Sequence, residues 1–175
     1  MASTKNFQNL IDALRAFPEV GLQVLVLRGR HAGLECEGLA GTYRGTPYRV
    51  IGAQMGSGLG AIRQVPAYYR QAGDYLHDVR ADGATNIVFI YGYPSLANAP
   101  ILRRARYLGY KVVFYLTEDA DVMPHGPGLL AWAERWSERL LARRIGRLAD
   151  AVFAISTHLQ AKAERLCKGR CPVTL

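Results

Sequence analysis

The sequence predicts an α/β fold in which a doubly wound parallel sheet carries helices on both faces. Strand and helix patterns alternate along most of the 175 residues, as expected for strands joined by right-handed crossover helices. Two strand patterns, at residues 111–119 and 150–157, are near-continuous apolar runs that end in polar residues. Strands have this composition when both of their faces are covered, so these two are predicted to lie centrally in the sheet.

The first half of the chain begins with a helix. Ser3 or Thr4 can cap this helix, whose apolar residues recur at helical spacing until Pro18 ends it. Next come strands at 22–29 and 48–54, a glycine-rich loop at 30–46 and a helix at 61–79. Pro66 is expected in or near the first turn of that last helix. Because a doubly wound domain normally starts with a strand, we infer that a first strand and its glycine-rich loop are missing.

The second half continues the alternation. Its strands are predicted at 86–93, 111–119, 150–157 and 172–175. Its helices are predicted at 95–108, about 129–148 and 158–166. Gly109 is expected to close the first of these helices as a C-terminal cap. The chain ends inside a strand, so we expect one domain over residues 1–175 that is truncated at both ends.

Composition limits the classes of partner and compartment. The net charge of +8 favours an anionic partner such as a nucleotide, a nucleic acid or an acidic membrane surface. No recognised nucleic-acid-binding module accompanies the charge, so nucleic acid is not predicted. The three cysteines form no disulfide framework or zinc pattern, and no apolar run approaches the roughly 20 residues of a membrane span. A cytoplasmic protein is expected.

The candidate site lies at the carboxyl ends of the predicted parallel strands, where ligands gather in such sheets. Glu118 and Asp119 follow a buried strand, where a carboxylate can accept a proton from a hydroxyl substrate or simply cap a loop. His125, in the next loop, is either a ligand or proton-transfer residue or an ordinary surface histidine. Strand-end residues that border the same edge are Tyr91, Tyr93, Thr117, Ser156 and Thr157. The two tyrosines either line a ring-bearing ligand or cover the core edge, and Ser156 and Thr157 are expected to cap the next helix.

Two further patterns have competing interpretations. Residues 56–61 read GSGLGA, which fits the glycine pattern of a dinucleotide site, but the next strand ends in tyrosines where such a site needs an acid. A flexible loop is the main interpretation, and a dinucleotide oxidoreductase is a third functional hypothesis. The helix at 129–148 interleaves arginines with Trp132 and Trp136. Its basic side either rests on anionic lipid or is a solvated side of a core-facing helix.

The order of segments resembles a known family. The segments are NIVFIYGYPS at 86–95, YKVVFYLTED at 110–119, an arginine-rich helix, RLADAVFAISTHLQAKAERL at 147–166 and the closing PVTL at 172–175. In this order they resemble the N-terminal domain of retaining GT-B glycosyltransferases of family four, which has a Rossmann-like fold. An aspartate, apolar strand, serine signature appears as Ala149, Asp150 and then VFAIS. The chain would be a fragment of such an enzyme.

The resemblance implies transfer of a sugar from a nucleotide-sugar donor to an acceptor hydroxyl, with retention and without a metal or other cofactor. Glu118 and Asp119 occupy the family's His-Asp position and would be the catalytic residues. Substrate-binding residues would be Ser3, Thr4, Tyr91, Tyr93, Thr117, His125 and Ser156. The donor would be held mainly by a C-terminal domain that this sequence lacks, so the fragment is expected to be inactive alone.

The acceptor implied by the resemblance is lipid-linked or a saccharide, and a lipid-linked acceptor would place the basic helix peripherally on the inner face of the membrane. The alternative from another class is a non-catalytic Rossmann-like module that binds a nucleotide or another anion. The two hypotheses differ in whether the gene continues into a second α/β domain.

Overall fold

The computed structural model describes residues 2–30, 40–54, 59–91, 98–117, 119, 132, 136, 139–140 and 142–175. Their contacts divide the chain into two compact units, Met1–Arg80 and Ala81–Leu175, and each is described by itself. Both contain helices and strands, so the predicted α/β class is confirmed. The interpretation of residues 1–175 as one truncated domain stays a prediction.

The first unit contains a three-stranded sheet and two helices. Its elements are α1 (Ala2–Arg15), β1 (Val24–Arg30), β2 (Ala40–Tyr43), β3 (Thr46–Gln54) and α2 (Leu59–Asp78). The strand order is β1-β3-β2, with β1 parallel to β3 and β2 antiparallel to it. The predicted helix ending before Pro18 and the strands predicted at 22–29 and 48–54 are therefore confirmed.

The prediction that residues 30–46 form a loop is wrong for its last part, because β2 forms a hairpin with β3. Arg44 and Gly45 both have positive φ, at 49° and 81°, which is the backbone of a tight two-residue hairpin turn. All four residues of β2 are exposed, so this edge strand has no apolar alternation to reveal it in the sequence.

Helix α2 differs from the prediction at its proline. Pro66 is the eighth residue of the helix and lies inside it, so its expected position in or near the first turn is wrong. The helix packs against β3, with Ala72, Tyr75 and Leu76 buried. The Tyr75 hydroxyl donates to Oε1 of Gln23 at 3.0 Å, which satisfies its polar end. Packing of this later part stabilises the helix despite the proline.

The second unit contains a parallel sheet of four strands. Its strands are β4 (Ile87–Tyr91), β5 (Lys111–Leu116), β6 (Ala151–Ala154) and β7 (Val173–Thr174). Its helices are α3 (Ala99–Tyr107), α4 (Ile145–Leu148) and α5 (Thr157–Cys167). The strands run in the order β4-β5-β6-β7 and every pair is parallel. The predicted parallel sheet is confirmed here, and Gly109 follows α3 with a φ of 83°, as expected of a C-terminal cap residue.

The core of this unit lies on one face of the sheet. Val112, Phe114 and Leu116 of β5 are buried there, together with residues from all three helices and the neighbouring strands. Those residues are Ile90, Leu102, Ile145, Ala149, Val152, Ala163, Leu166, Cys167, Cys171 and Val173. The opposite face is aromatic: Phe89 stacks on Phe153 at 6.3 Å between ring centroids, and Val113 between them in the sheet is also buried. Because both faces are apolar, β5 has the continuous apolar sequence from which it was predicted.

The long helix predicted at 129–148 is interrupted. Trp132, Trp136, Arg139, Leu140 and Ala142 are helical, but Arg143 and Arg144 form a turn before α4 begins at Ile145. A Cβ atom on Gly146 would lie only 2.7 Å from Cα and O of Cys167, so α4 packs directly on the backbone of α5. The predicted continuous helix through residue 148 is therefore wrong at Arg143 and Arg144.

A cluster of polar side chains connects the elements at the amino-terminal edge of the parallel sheet. Asp150 accepts a hydrogen bond from the backbone N–H of Val112 through Oδ2 at 2.8 Å. Arg106 of α3 donates to the carbonyls of Arg147 and Leu148 at 2.8 and 2.9 Å, which satisfies groups at the end of α4. Its guanidinium also lies 3.8 Å from the Asp150 carboxylate. Asp150 therefore joins β5, β6 and α3, which is a structural role.

Candidate functional site

The candidate site lies at the carboxyl edge of the parallel sheet in the second unit. Leu116 of β5 pairs with Ala154 of β6, so Thr117 and Asp119 leave the sheet beside the residues that begin α5. A helix that follows a parallel strand starts at that same edge. The first turns of α5 are therefore placed next to the loop that follows β5.

Asp119 makes two contacts with α5. Its Oδ2 atom lies 2.9 Å from Nε2 of His158, and its Oδ1 atom forms a close ion pair with Nζ of Lys162. His158 and Lys162 are four residues apart, so they lie on one face of the helix. The side chains of Asp119 and Lys162 are only 11% and 18% exposed, whereas that of His158 is 69% exposed. The carboxylate is therefore largely enclosed, and the imidazole faces solvent.

These contacts determine what the three side chains can do chemically. A carboxylate only accepts hydrogen bonds, so Nε2 of His158 is the donor. In a neutral imidazole that leaves Nδ1 as a lone-pair acceptor, which can receive a hydroxyl proton. The Lys162 ammonium compensates the charge of Asp119, so the carboxylate is suited to orienting His158. The arrangement is that of a carboxylate-oriented histidine at the mouth of a parallel sheet.

Ser156 and Thr117 provide hydroxyls at the same edge. Ser156 is the N-cap of α5, and its side-chain oxygen accepts from the N–H of Leu159 at 3.3 Å, as predicted. Oγ1 of Thr117 is buried and has no hydrogen-bond partner among the residues that the structure describes. A buried polar group without a partner costs free energy, so this hydroxyl is a candidate for contact with a ligand or water.

Tyr91 ends β4, on the neighbouring strand. It is partly buried, and its ring centroid lies 5.6 Å from that of Tyr115 in β5. The two rings lie on the face of the sheet opposite the core formed with α3, α4 and α5. Tyr91 is predicted either to line a ligand or to cover the edge of the sheet, and both roles stay predictions.

Several predicted site residues are not placed with this cluster. Tyr93, Glu118 and His125 lie outside the described residues, as do Gly56, Ser57 and Gly58 of the glycine motif. Ser3 and Thr4 are the second and third residues of α1 in the first unit, so the prediction that one of them is the N-cap is wrong, and their side chains are outside the part that is described. Their predicted contact with substrate stays a prediction.

The sequence reasoning missed His158 and Lys162 as site residues. The sequence pattern predicts His158 only as the start of a helix, although an apolar strand followed by hydroxyls places that start at the carboxyl edge. The spacing of four residues between a histidine and a lysine in the first turns was the available signal. Applied together with the position of Asp119, it would have predicted the cluster.

In the described ranges, no three histidine, cysteine, aspartate or glutamate residues lie close enough together to hold a metal ion. None of the helices in the same ranges has the length and apolar character needed to cross a membrane.

Comparison with known proteins adds no identification. No protein-family model, curated protein or solved structure matches the chain.

Proposed function

We propose that this chain is the acceptor-side domain of a retaining GT-B type glycosyltransferase, which transfers a sugar from a nucleotide-sugar donor to an acceptor hydroxyl. The observation that supports this proposal best is the hydrogen bond between Asp119 and His158 at the carboxyl edge of a parallel sheet. The type of reaction is proposed from the resemblance in the order of segments. The cluster of Asp119, His158 and Lys162 provides an imidazole that can accept a hydrogen bond from a hydroxyl.

In this proposal His158 contacts the acceptor and Asp119 is a positioning residue. Nδ1 of His158 accepts a hydrogen bond from the acceptor hydroxyl, while Asp119 holds the imidazole through Nε2. Lys162 holds the Asp119 carboxylate in place through its ion pair. The unpartnered hydroxyl of Thr117 binds the acceptor or a water that bridges to it. The nucleotide sugar is held mainly by a second domain, and the reaction requires no cofactor.

The acceptor is proposed to be lipid-linked, with peripheral contact to an anionic membrane surface. Trp132 and Trp136 are both exposed and their rings stack 6.4 Å apart at 13°, on the segment that carries Arg139 and Arg143. Tryptophan side chains prefer the interfacial region of bilayers, and arginines favour anionic lipid headgroups. A saccharide acceptor in solution would leave this aromatic pair without a purpose.

A binding module for a nucleotide or another anion is the second candidate. The observation that favours it is the compensation of Asp119 by Lys162, since an exposed His158 in its protonated form can then donate Nδ1–H to an anion without catalysis. Such a module would bind nucleotides without consuming nucleotide sugars.

The deciding experiment is a transfer assay on the full product of the gene. Nucleotide sugars are incubated with lipid-linked or saccharide acceptors, and both the released nucleotide and the anomeric configuration of the product are measured. We expect nucleotide release that depends on the acceptor and a product that retains the donor configuration. His158→Gln should reduce turnover by roughly 10²- to 10⁴-fold, the range for a lost acid-base group.

His77→Gln is the matched control, because His77 is another exposed histidine beside an aspartate, with Nδ1 3.6 Å from Asp78. Its turnover should equal that of the wild type. If the protein binds nucleotides but releases no nucleotide from a nucleotide sugar with any acceptor, the glycosyltransferase proposal is wrong and the binding module is favoured.

Membrane contact is tested separately by co-sedimentation with vesicles. Binding to vesicles rich in anionic lipid at low salt is expected, and it should weaken as salt is added. Trp132→Ala with Trp136→Ala should reduce the bound fraction, whereas Tyr107→Ala, which removes another exposed ring, should not. Equal binding to neutral and anionic vesicles, or no binding, would contradict the membrane part of the proposal.

A further inference from the structure

Two thiols meet in the core of the second unit, away from the candidate site. Cys167 is the last residue of α5, and Cys171 follows it by four residues, before β7 begins. Their Sγ atoms lie 3.1 Å apart, and both cysteines are free. Cys167 is fully buried and Cys171 is 8% exposed. The sulfurs are thus in contact and largely shielded from solvent.

The turn between the two cysteines brings them together. Lys168 and Gly169 both have positive φ, at 51° and 70°, so the chain reverses sharply at the end of the helix. The N–H of Lys168 donates to the carbonyl of Glu164 at 2.9 Å, and that of Arg170 donates to Cys167 at 3.0 Å. The proximity of the thiols is therefore built by the helix cap and does not follow from sequence spacing alone.

We propose that Cys167 and Cys171 form a reversible intramolecular disulfide by exchange with a low-molecular-weight disulfide such as glutathione disulfide. A disulfide bond requires an S–S separation of about 2.05 Å, so the sulfurs must approach by roughly 1 Å. We expect rotation of the two side chains to supply this movement. The inference is independent of the proposed sugar transfer.

The exchange proceeds in two balanced steps. The Cys171 thiol loses its proton, and the thiolate attacks one sulfur of glutathione disulfide, which forms a mixed disulfide and releases one glutathione thiolate. The Cys167 thiol then loses its proton and attacks the Cys171 sulfur, which releases the second glutathione. Both thiolates take up the protons, so the protein dithiol is oxidised to a disulfide while one glutathione disulfide is reduced to two glutathiones.

The order of the two steps follows from exposure. Cys171 is the less buried of the two residues, at 8% exposed, so we expect an external disulfide to reach it first. The pKa of the Cys167 thiol is raised to about 12, mainly by burial and to a smaller extent by the neighbouring Cys171. Cys167 is therefore almost entirely protonated at neutral pH and acts as the resolving thiol. We expect slow exchange for the same reason.

The test measures how much the fold favours the bond. Cys36→Ser protein is equilibrated in glutathione redox buffers and quenched with N-ethylmaleimide in denaturant, and its intact mass is measured by mass spectrometry. We expect a product about 2 Da lighter that takes up no maleimide. The effective concentration of the thiol pair should be at least roughly tenfold higher in native buffer than in concentrated urea.

Cys171→Ser in the same background is the control, and it should give only unmodified protein or a single glutathione adduct. The proposal is overturned if the native protein gives only glutathione adducts, or keeps two alkylated thiols under oxidising conditions. It is equally overturned if native buffer and urea give the same effective concentration, because the fold would then contribute nothing.

Discussion

Oδ2 of Asp119 lies 2.9 Å from Nε2 of His158, and these two residues come from different elements of the parallel-sheet unit. The aspartate follows β5, and the histidine, 39 residues later, is the second residue of α5. The pair His77 and Asp78 has a similar composition, but it is formed by sequence neighbours whose side chains are both well exposed. Only in the first pair is the carboxylate enclosed, which is why it can orient the imidazole.

Lys162→Met is expected to destabilise the second unit. The substitution preserves the approximate length of the side chain but removes the ion pair with the enclosed Asp119 carboxylate. Because both charges are partly solvated, we expect a loss of about 1–3 kcal/mol, less than for a fully buried pair. Urea unfolding followed by circular dichroism measures it. Lys168→Met, at an exposed position, should change stability by less than about 0.5 kcal/mol. Equal effects would show that the ion pair contributes nothing.

Arg106→Ala should weaken the junction of α3, α4 and β6. The variant loses two hydrogen bonds to the carbonyls of Arg147 and Leu148 and the attraction to Asp150. Because the Arg106 side chain is 40% exposed, water can replace some of these interactions. We expect a loss of about 1–2 kcal/mol in the free energy of unfolding. The control is Arg103→Ala on the same helix, also exposed, with an expected change below about 0.5 kcal/mol. Indistinguishable unfolding midpoints would refute the structural role of Arg106.

Gly146→Ala is expected to destabilise the packing of α4 on α5. The added Cβ would lie 2.7 Å from backbone atoms of Cys167, which can move only if the helices separate. Overpacking of this kind costs about 1–3 kcal/mol, measured by urea unfolding. Gly21→Ala, where no atom lies within 4 Å of the added Cβ, is the control and should be nearly neutral. A stable Gly146→Ala protein with unchanged unfolding would contradict the close contact.

Alkaline pH should destabilise the first unit through Tyr68. The pKa of Tyr68 is raised from 10.0 to about 12, mainly by burial and to a smaller extent by the neighbouring Tyr69. Between pH 10 and 12 the unfolded state releases a proton that the folded state keeps, so stability is full below pH 10 and falls as pH rises toward 12. Urea unfolding across this range should show a shallower decline for Tyr68→Phe than for the wild type. Identical slopes would mean that Tyr68 is not buried in this way.

The sequence predicted the parallel sheet because the burial of both faces of β5 leaves a direct trace in its composition. Phe114 and Val113 face opposite sides of the sheet and both are buried, so the run is continuously apolar. The Ser156 cap was equally predictable, since its hydrogen bond to Leu159 is local. Such features depend on a few adjacent residues.

Other features depend on contacts between distant residues and were missed. The exposed edge strand β2 has no apolar alternation, and its hairpin is signalled only by the turn at Arg44 and Gly45. The close contact of Gly146 with Cys167, 21 residues away, is likewise not encoded by any local pattern. The contacts of Asp119 with α5 belong to the same class.

The central claim is that Asp119 acts on an acceptor hydroxyl through His158, and a double-mutant cycle tests it most directly. Turnover of the full gene product is measured for Asp119→Asn, His158→Gln and the double variant, with circular dichroism confirming that each is folded. If the two residues act as one unit, each single variant loses roughly 10²-fold or more, and the double variant loses little beyond the larger single effect. Losses that multiply in the double variant, or single variants with wild-type turnover, would contradict the account.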